Sequence, residues 1–449
     1  MKRMILPPKP PARVVVISID GVPYSFLQAR MAAGALPNFQ QLLAHGSLHR
    51  MNSVQPCVSS VAWASYMTGK NPGKHNIFGF VEKKPGTLDT FVPTAANLAG
   101  DTIWEIMSRA GKKVCVINVP GTFPPRPVNG IMIGCFLGTQ LENIAYPKKV
   151  GAELQALGYK IDARAALARE DLDRFIAECR HVLAKRAATL LHFLTKTPWD
   201  FFQCHIMETD RLNHFLWERA ENGDARYRRA FDEFYQQVDA LIGEVVSRLD
   251  QETELLILSD HGFCAIKKEI YLNHYFVETG LLKFKTASPR SLRDMQAESV
   301  AYSLIPGRVF INLKGREPHG TVAPELYESV REQVAKTLLS LHDDDGAPII
   351  REVIKRENIF SGPSLNTAAD LLAIPHDGYD LKADVTKAVR GEKTALAGMH
   401  TFDDALFYIR RPHVPLGENK FWIGDVAPTI LQLMHLPIPE DMDGVALEV

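Results

Sequence analysis

The chain has 449 residues, of which 46% are apolar and 23% charged, a composition that excludes global disorder. Fifty-one Lys and Arg stand against 52 Asp and Glu, a formal net charge of -1, so no overall field draws the protein to a nucleic acid polymer or an anionic membrane. No apolar run approaches the roughly 20 residues of a membrane span, and six scattered cysteines without C-x-x-C spacing read as reduced thiols.

In chain order, Met1 to Pro11 is basic and proline-rich and lacks an apolar signal core, which reads as a short cytoplasmic tail. From residue 13 to 260, short apolar β-rich runs alternate with longer helical stretches. Strands are expected over 13–19, 113–119, 131–137, 200–207 and 254–258, and helices over 24–32, 166–196 and 226–249. That rhythm predicts an α/β domain whose mostly parallel sheet is covered on both faces, with its site at the carboxyl ends of the strands. Between 265 and 397 the rhythm loosens into a mixed region, with a strand over 303–313 and a helix over 324–342. This stretch is expected to be a smaller α+β cap-like insertion between core segments 1–264 and 398–449. A last strand at 405–409 and a helix capped by Asp425, with Pro428 in its first turn, return to the main sheet.

Several residues in this frame carry chemistry. Asp20 ends the first strand before Gly21, and Asp260-His261 end the most apolar strand before Gly262. Asp210 and His214 are four apart, so a helix projects both from one face toward one ion. His400 stands before the final strand and adds a further nitrogen. Ser59 and Ser60 open a short helix, where a serine is either an N-cap or a group beside an anion site. Together, three carboxylates and three imidazoles suit two divalent cations, which would clamp the attacking and leaving oxygens of an in-line displacement. Arg316, Lys70 and Lys74 are candidates for the substrate's remaining charge, whereas Trp63, Phe78 and Phe80 are expected in the core.

With these residues assembled, the chain resembles the alkaline phosphatase superfamily, in particular its type I phosphodiesterase/nucleotide pyrophosphatase group and the branch of phosphohydrolases and phosphomutases within it. The likeness lies in Ile17-Ser-Ile-Asp-Gly-Val, Leu36-Pro-Asn-Phe, Ala62-Trp-Ala-Ser-Tyr-Met-Thr-Gly-Lys-Asn-Pro-Gly-Lys-His, Glu208-Thr-Asp-Arg, Ser259-Asp-His-Gly-Phe, Gly315-Arg-Glu-Pro and Asp425-Val-Ala-Pro-Thr-Ile-Leu. It implies a three-layer α/β/α fold with one metal on Asp210, His214 and His400 and another on Asp20, Asp260 and His261. Counting back from Thr68-Gly69, it implies Ser59 as nucleophile between two zinc or manganese ions, with Ser60 out of register.

Two departures stand out. Phe80 occupies the position where nucleotide pyrophosphatases carry an asparagine for a non-bridging oxygen, and Cys57-Val-Ser-Ser-Val lacks the Cys/Ser-x-Pro-x-Arg signature of sulfatases. The expected activity is hydrolysis of a small-molecule phosphate mono- or diester through a phosphoserine, the alternatives being a phosphomutase or a non-catalytic metal-binding relative. Oligomeric state has no signature in the sequence.

Overall fold

A computed structural model describes residues 13–414 and 421–448; the Met1 to Pro11 tail lies outside the described residues. An eight-stranded sheet runs in the order Ser47–Met51, Ala405–Ile409, Glu254–Leu258, Val14–Ile19, Phe201–Ile206, Val114–Ile117, Gly130–Ile133, Ala145–Tyr146. The five strands from Glu254–Leu258 to Gly130–Ile133 are mutually parallel, and the strands flanking them pair antiparallel. This is the expected mostly parallel α/β arrangement. The expected 131–137 strand stops at Ile133, before Gly134.

The first strand shows why the sheet is buried on both faces. Its side chains alternate, so Val15, Ile17 and Ile19 enter one apolar cluster while Val14 and Val16 enter the opposite one. On the first face lie the helices Leu172–Lys196, Glu208–Glu221 and Ala225–Val246; on the second lie Ser59–Thr68 and Val426–Leu433. Among the described residues no helix is long and apolar enough to cross a membrane.

Residues between about 270 and 389 form their own apolar cluster around Leu272, Phe276, Tyr302, Phe310 and Leu338. A four-stranded sheet, in the order Ala301–Ile305, Arg308–Ile311, Leu371–Pro375, Ile350–Lys355, packs here with the helix Tyr327–Leu339. The single strand expected at 303–313 is a hairpin, because Pro306-Gly307 turns the chain, with Gly307 at φ +71°. The ribbon formed by Gly262–Ala265 and Gly398–Thr401, paired antiparallel, stands where the chain leaves the main sheet and returns to it.

Asp425 differs from its expected capping role. Its carboxylate accepts from the backbone N–H of Trp422 at 3.0 Å and Val445 at 2.7 Å, tying down the C-terminal segment rather than the first turn of Val426–Leu433.

Candidate active site

The expected ligand residues converge at the carboxyl edge of the parallel strands in two groups: Asp210 with His214 and His400, and Asp20 with Asp260 and His261. Within each group the ligand atoms lie within 4.8 Å of one another. Asp20 and Asp260 are fully buried one and two residues past adjacent strand ends, and Gly21 allows the turn after the first. Gly21 sits at φ +64°, and a Cβ there would lie 2.9 Å from the Phe263 ring, so only glycine fits. Its N–H donates to Asp260 Oδ1 at 3.1 Å. Asp210 and His214 share one face of Glu208–Glu221, their Oδ1 and Nε2 atoms 3.3 Å apart.

All three imidazoles are oriented alike. His214 Nδ1 lies 3.0 Å from Gly398 O, His261 Nδ1 lies 3.0 Å from Gly262 O, and His400 Nδ1 lies 3.1 Å from Cys57 O. A carbonyl only accepts, so Nδ1 carries a proton and Nε2 is the atom each ring turns into the site. Those Nε2 atoms face the carboxylates: His400 is 3.2 Å from Asp210 Oδ1, and His261 is 3.4 Å from Asp260 Oδ2. The His261 and His400 rings stack at 3.6 Å, which sets the two groups side by side.

Ser59 begins the helix Ser59–Thr68, with its Oγ 3.2 Å from His261 Nε2 and 3.3 Å from Asp20 Oδ1. Ser60 Oγ is buried without a polar partner and faces a separate apolar slot.

The electrostatics favour cations. Burial, and next to it the neighbouring His400, push His261 down to about 3. Burial also lowers His214, although Asp210 opposes it. Burial and the adjacent Asp20 raise Asp260, whose Oδ2 accepts no hydrogen bond. Burial works against ionising Asp210, yet His214, His400 and Arg211 outweigh it and hold this carboxyl low. Imidazole nitrogens turned on one another and an unsatisfied buried carboxylate oxygen are a donor set that suits a divalent cation, and Asp210 raises His400 against the effect of its burial.

The other expected contacts are spent elsewhere. Lys70 pairs with Asp441 and Lys74 with Asp443, both in the C-terminal segment. Arg316 is committed to Asp370 and Glu317, with 2.7 Å from Nη1 to Asp370 Oδ1, so it braces the second cluster. Phe80 is not core: its ring is 44% exposed and stacks on Phe136 at 5.9 Å beside the slot that Ser60 also lines. Trp63 and Phe78 are buried as expected, although the Trp63 indole N–H also donates to Asp20 Oδ2 at 3.1 Å.

Two residues near the site went unread in the sequence. Arg211, clamped to Asp162 at 2.8 Å and set over the Phe136 ring, lies 3.5 Å from Asp210. His205, inside the strand Phe201–Ile206, lies 2.9 Å from Asp20 Oδ2. Arg211 was visible as the last residue of Glu208-Thr-Asp-Arg, whereas His205 carried no signal.

A mostly parallel three-layer α/β sandwich, with a serine and two Asp/His groups at its carboxyl edge, is the alkaline phosphatase architecture. A family model described as type I phosphodiesterase / nucleotide pyrophosphatase matches residues 14–403, and the chain belongs to that family of phosphoric ester hydrolases. Among solved structures, phosphonoacetate hydrolase from Sinorhizobium meliloti 1021 in complex with phosphonoformate is 16% identical, with a TM-score of 0.65 over 95% of this chain and 96% of that one. Murine ectonucleotide pyrophosphatase / phosphodiesterase 5 is 15% identical, with a TM-score of 0.55 over 95% and 96% of the two chains. A mutant of the alkaline phosphatase PafA is 14% identical, with a TM-score of 0.59 over 98% and 99%. At these identities the likeness speaks for the fold. Comparison with curated protein sequences finds no match.

Proposed function

We propose that this protein hydrolyses small-molecule phosphate mono- or diesters through a phosphoserine formed on Ser59, with two divalent cations, zinc or alternatively manganese, held by the two Asp/His groups. The observation that carries this reading is the common orientation of the three imidazoles, each Nδ1 on a backbone carbonyl and each Nε2 toward the carboxylates. When bound, the cations supply positive charge that lowers the serine pKa and stabilises the transition state.

The chain's own groups do the rest. Ser59 Oγ, oriented by Asp20 and His261, attacks phosphorus in line as the ester P–O bond breaks and the displaced alkoxide leaves as the alcohol, taking up a proton equivalent to the one the serine loses; water then cleaves the serine ester, releasing phosphate from a monoester or a phosphate monoester from a diester. The amino end of Ser59–Thr68 offers unpaired N–H groups to the anion. Phe80 has no polar group for a non-bridging oxygen; Arg211, the cation beside Asp210, is proposed for that contact.

The second reading is an intramolecular phosphomutase, which would need segment 265–397 to close over the site and exclude water. A cleft of about 170 Å³ between core and insertion is lined by Cys57, Val58 and His400 on one side and by Gly307, Arg351 and Ala373 on the other. In either reading, segment 265–397 serves as a cap on a core of 1–264 and 398–449. The six free cysteines suit a reducing compartment, and a cytoplasmic location is part of the proposal.

The deciding experiment incubates metal-reconstituted protein with a panel of phosphate mono- and diesters and with a phosphorylated sugar and a phosphoglycerate. Free phosphate or a cleaved diester supports the hydrolase, and an isomer of the substrate supports the mutase. Full activity in excess chelator would sink both.

A further inference from the structure

His205 is completely buried in the centre of the parallel sheet, in a strand whose six side chains are all buried. A neutral polar ring costs free energy there unless both nitrogens are satisfied, and an apolar side chain would fill the position without that cost. Its surroundings show what it satisfies. Nδ1 lies 3.0 Å from Ser18 Oγ, one strand over, and Nε2 lies 2.9 Å from Asp20 Oδ2. The Nε2 approach is bent rather than linear, and no other group competes for that nitrogen.

We infer that His205 is a positioning residue, one that turns the Asp20 carboxylate so that Oδ1 alone faces the cation beside Ser59. This rests on the two-cation reading given above. A carboxylate only accepts, so the ring proton belongs on Nε2, beside Asp20 Oδ2, and the Ser18 hydroxyl, whose other acceptor, the Cys204 carbonyl, is farther away at 3.4 Å, donates to Nδ1. The Trp63 indole N–H donates to the same oxygen at 3.1 Å, and its ring meets the imidazole edge-on at 4.8 Å. Oδ2 therefore accepts from Trp63 and lies against His205 Nε2, while Oδ1, which accepts from Ser59 Oγ at 3.3 Å, keeps a further lone pair for a cation. The main chain is held as well: Asn118, a non-glycine residue at φ +65° past the end of the next strand, donates from Nδ2 to the His205 carbonyl at 3.3 Å.

The test is a competition titration of zinc against a chromophoric chelator on the full chain, with thermal melting of the metal-free protein alongside. Wild type binds two equivalents. His205→Leu keeps the Asp210, His214 and His400 site at wild-type affinity and weakens the other by about 10- to 100-fold. His205→Gln, whose amide N–H reaches the place of Nε2, restores that site to within about threefold. Two wild-type-strength sites in His205→Leu would overturn the inference. Equal losses in Leu and Gln, or losses shared by both sites, would also overturn it, because they report packing alone.

Should His205→Leu fail to melt cooperatively, Ser18→Ala decides. It acts on the far ring nitrogen, and the same single site weakens several-fold if the relay operates and not at all if it does not. Wild type binding fewer than two equivalents would instead count against the two-cation reading itself.

Discussion

The Nε2 atoms of His214 and His400 face each other across 3.1 Å, and the Nδ1 atom of each ring sits against a backbone carbonyl. With Asp210 Oδ1, 3.2 Å from His400 and 3.3 Å from His214, these two nitrogens form a three-atom cradle that suits the proposed cation. Removing divalent metal is therefore expected to cost stability as well as activity. At a free concentration about a thousand times the dissociation constant, bound metal contributes roughly 4 kcal/mol. Calorimetry with and without chelator, followed by re-addition of zinc or manganese, checks this; an unchanged melting temperature would refute it.

Ser59→Ala removes the one hydroxyl lying within 3.3 Å of both Asp20 and His261. Turnover is expected to fall by at least about a thousandfold, the scale seen when a covalent nucleophile is deleted, while metal content and melting temperature stay at wild-type values. Ser60→Ala, which touches only the apolar slot, should leave phosphoserine formation intact. Mass spectrometry of acid-quenched enzyme reads the difference.

The half-exposed Phe80 ring, stacked on Phe136, offers an aromatic surface next to the nucleophile segment. An aryl ester group seated there gains roughly 0.5 to 1.5 kcal/mol of ring contact. Phe80→Ala is thus expected to lower kcat/KM for aryl phosphate esters roughly 2- to 10-fold and to change methyl esters little. Equal effects on both substrates would mean that the ring only supports the fold.

Arg186 and Glu208 form an ion pair at 3.0 Å with both side chains fully buried, and Arg186 also donates to the Ile161 carbonyl at 2.8 Å. Glu208 starts the helix that carries Asp210 and His214, so this pair anchors one whole ligand group. Arg186→Met strands a buried carboxylate and is expected to cost about 3–5 kcal/mol. Urea unfolding measures the loss, and adding Glu208→Gln should recover part of it.

Asp443 accepts from the Asn71 backbone N–H at 2.8 Å and from its side chain at 2.9 Å, and it pairs with Lys74. Burial opposes its ionisation, but Lys74 and Asn71 outweigh that and hold the carboxyl below the ordinary range. A depressed carboxyl stabilises the fold above its unfolded value, near pH 4, and loses that contribution as pH falls through the lower folded value. The pair is partly solvated, so Asp443→Asn is expected to cost about 1 kcal/mol at pH 7. The gap between variant and wild type should narrow as pH falls below the unfolded value; a constant difference from pH 7 into that range would exclude the clamp as its source.

What could be read from the sequence follows from range. Asp20, Asp260 and His261 declared themselves because each stands within three residues past a continuous apolar strand and one or two before a glycine. Asp210 and His214 did so through helical spacing. The sequence offered Lys70, Lys74 and Arg316 to a substrate because it hides distant partners: Asp441 lies 371 positions from Lys70 and Asp370 54 from Arg316, and no local pattern announces such pairs. Phe80 misled because aromatic residues are usually buried, and a ring lining an open slot has the same local sequence as a core ring. His205 was silent for a related reason: within Phe-Phe-Gln-Cys-His-Ile every side chain is buried, so alternation carries no information about which polar residue turns toward the site.

The ribbon at the mouth of the insertion has a mechanical consequence. His400 lies opposite Phe263 in its register, and His261 immediately precedes its first strand, so one ligand of each group is fastened to the same pair of strands. Any tilt of the region beyond the ribbon acts as a lever on the separation of the two imidazoles. If that region serves as the proposed cap, substrate grip and the spacing of the reacting centres are geared together by four rungs of backbone pairing.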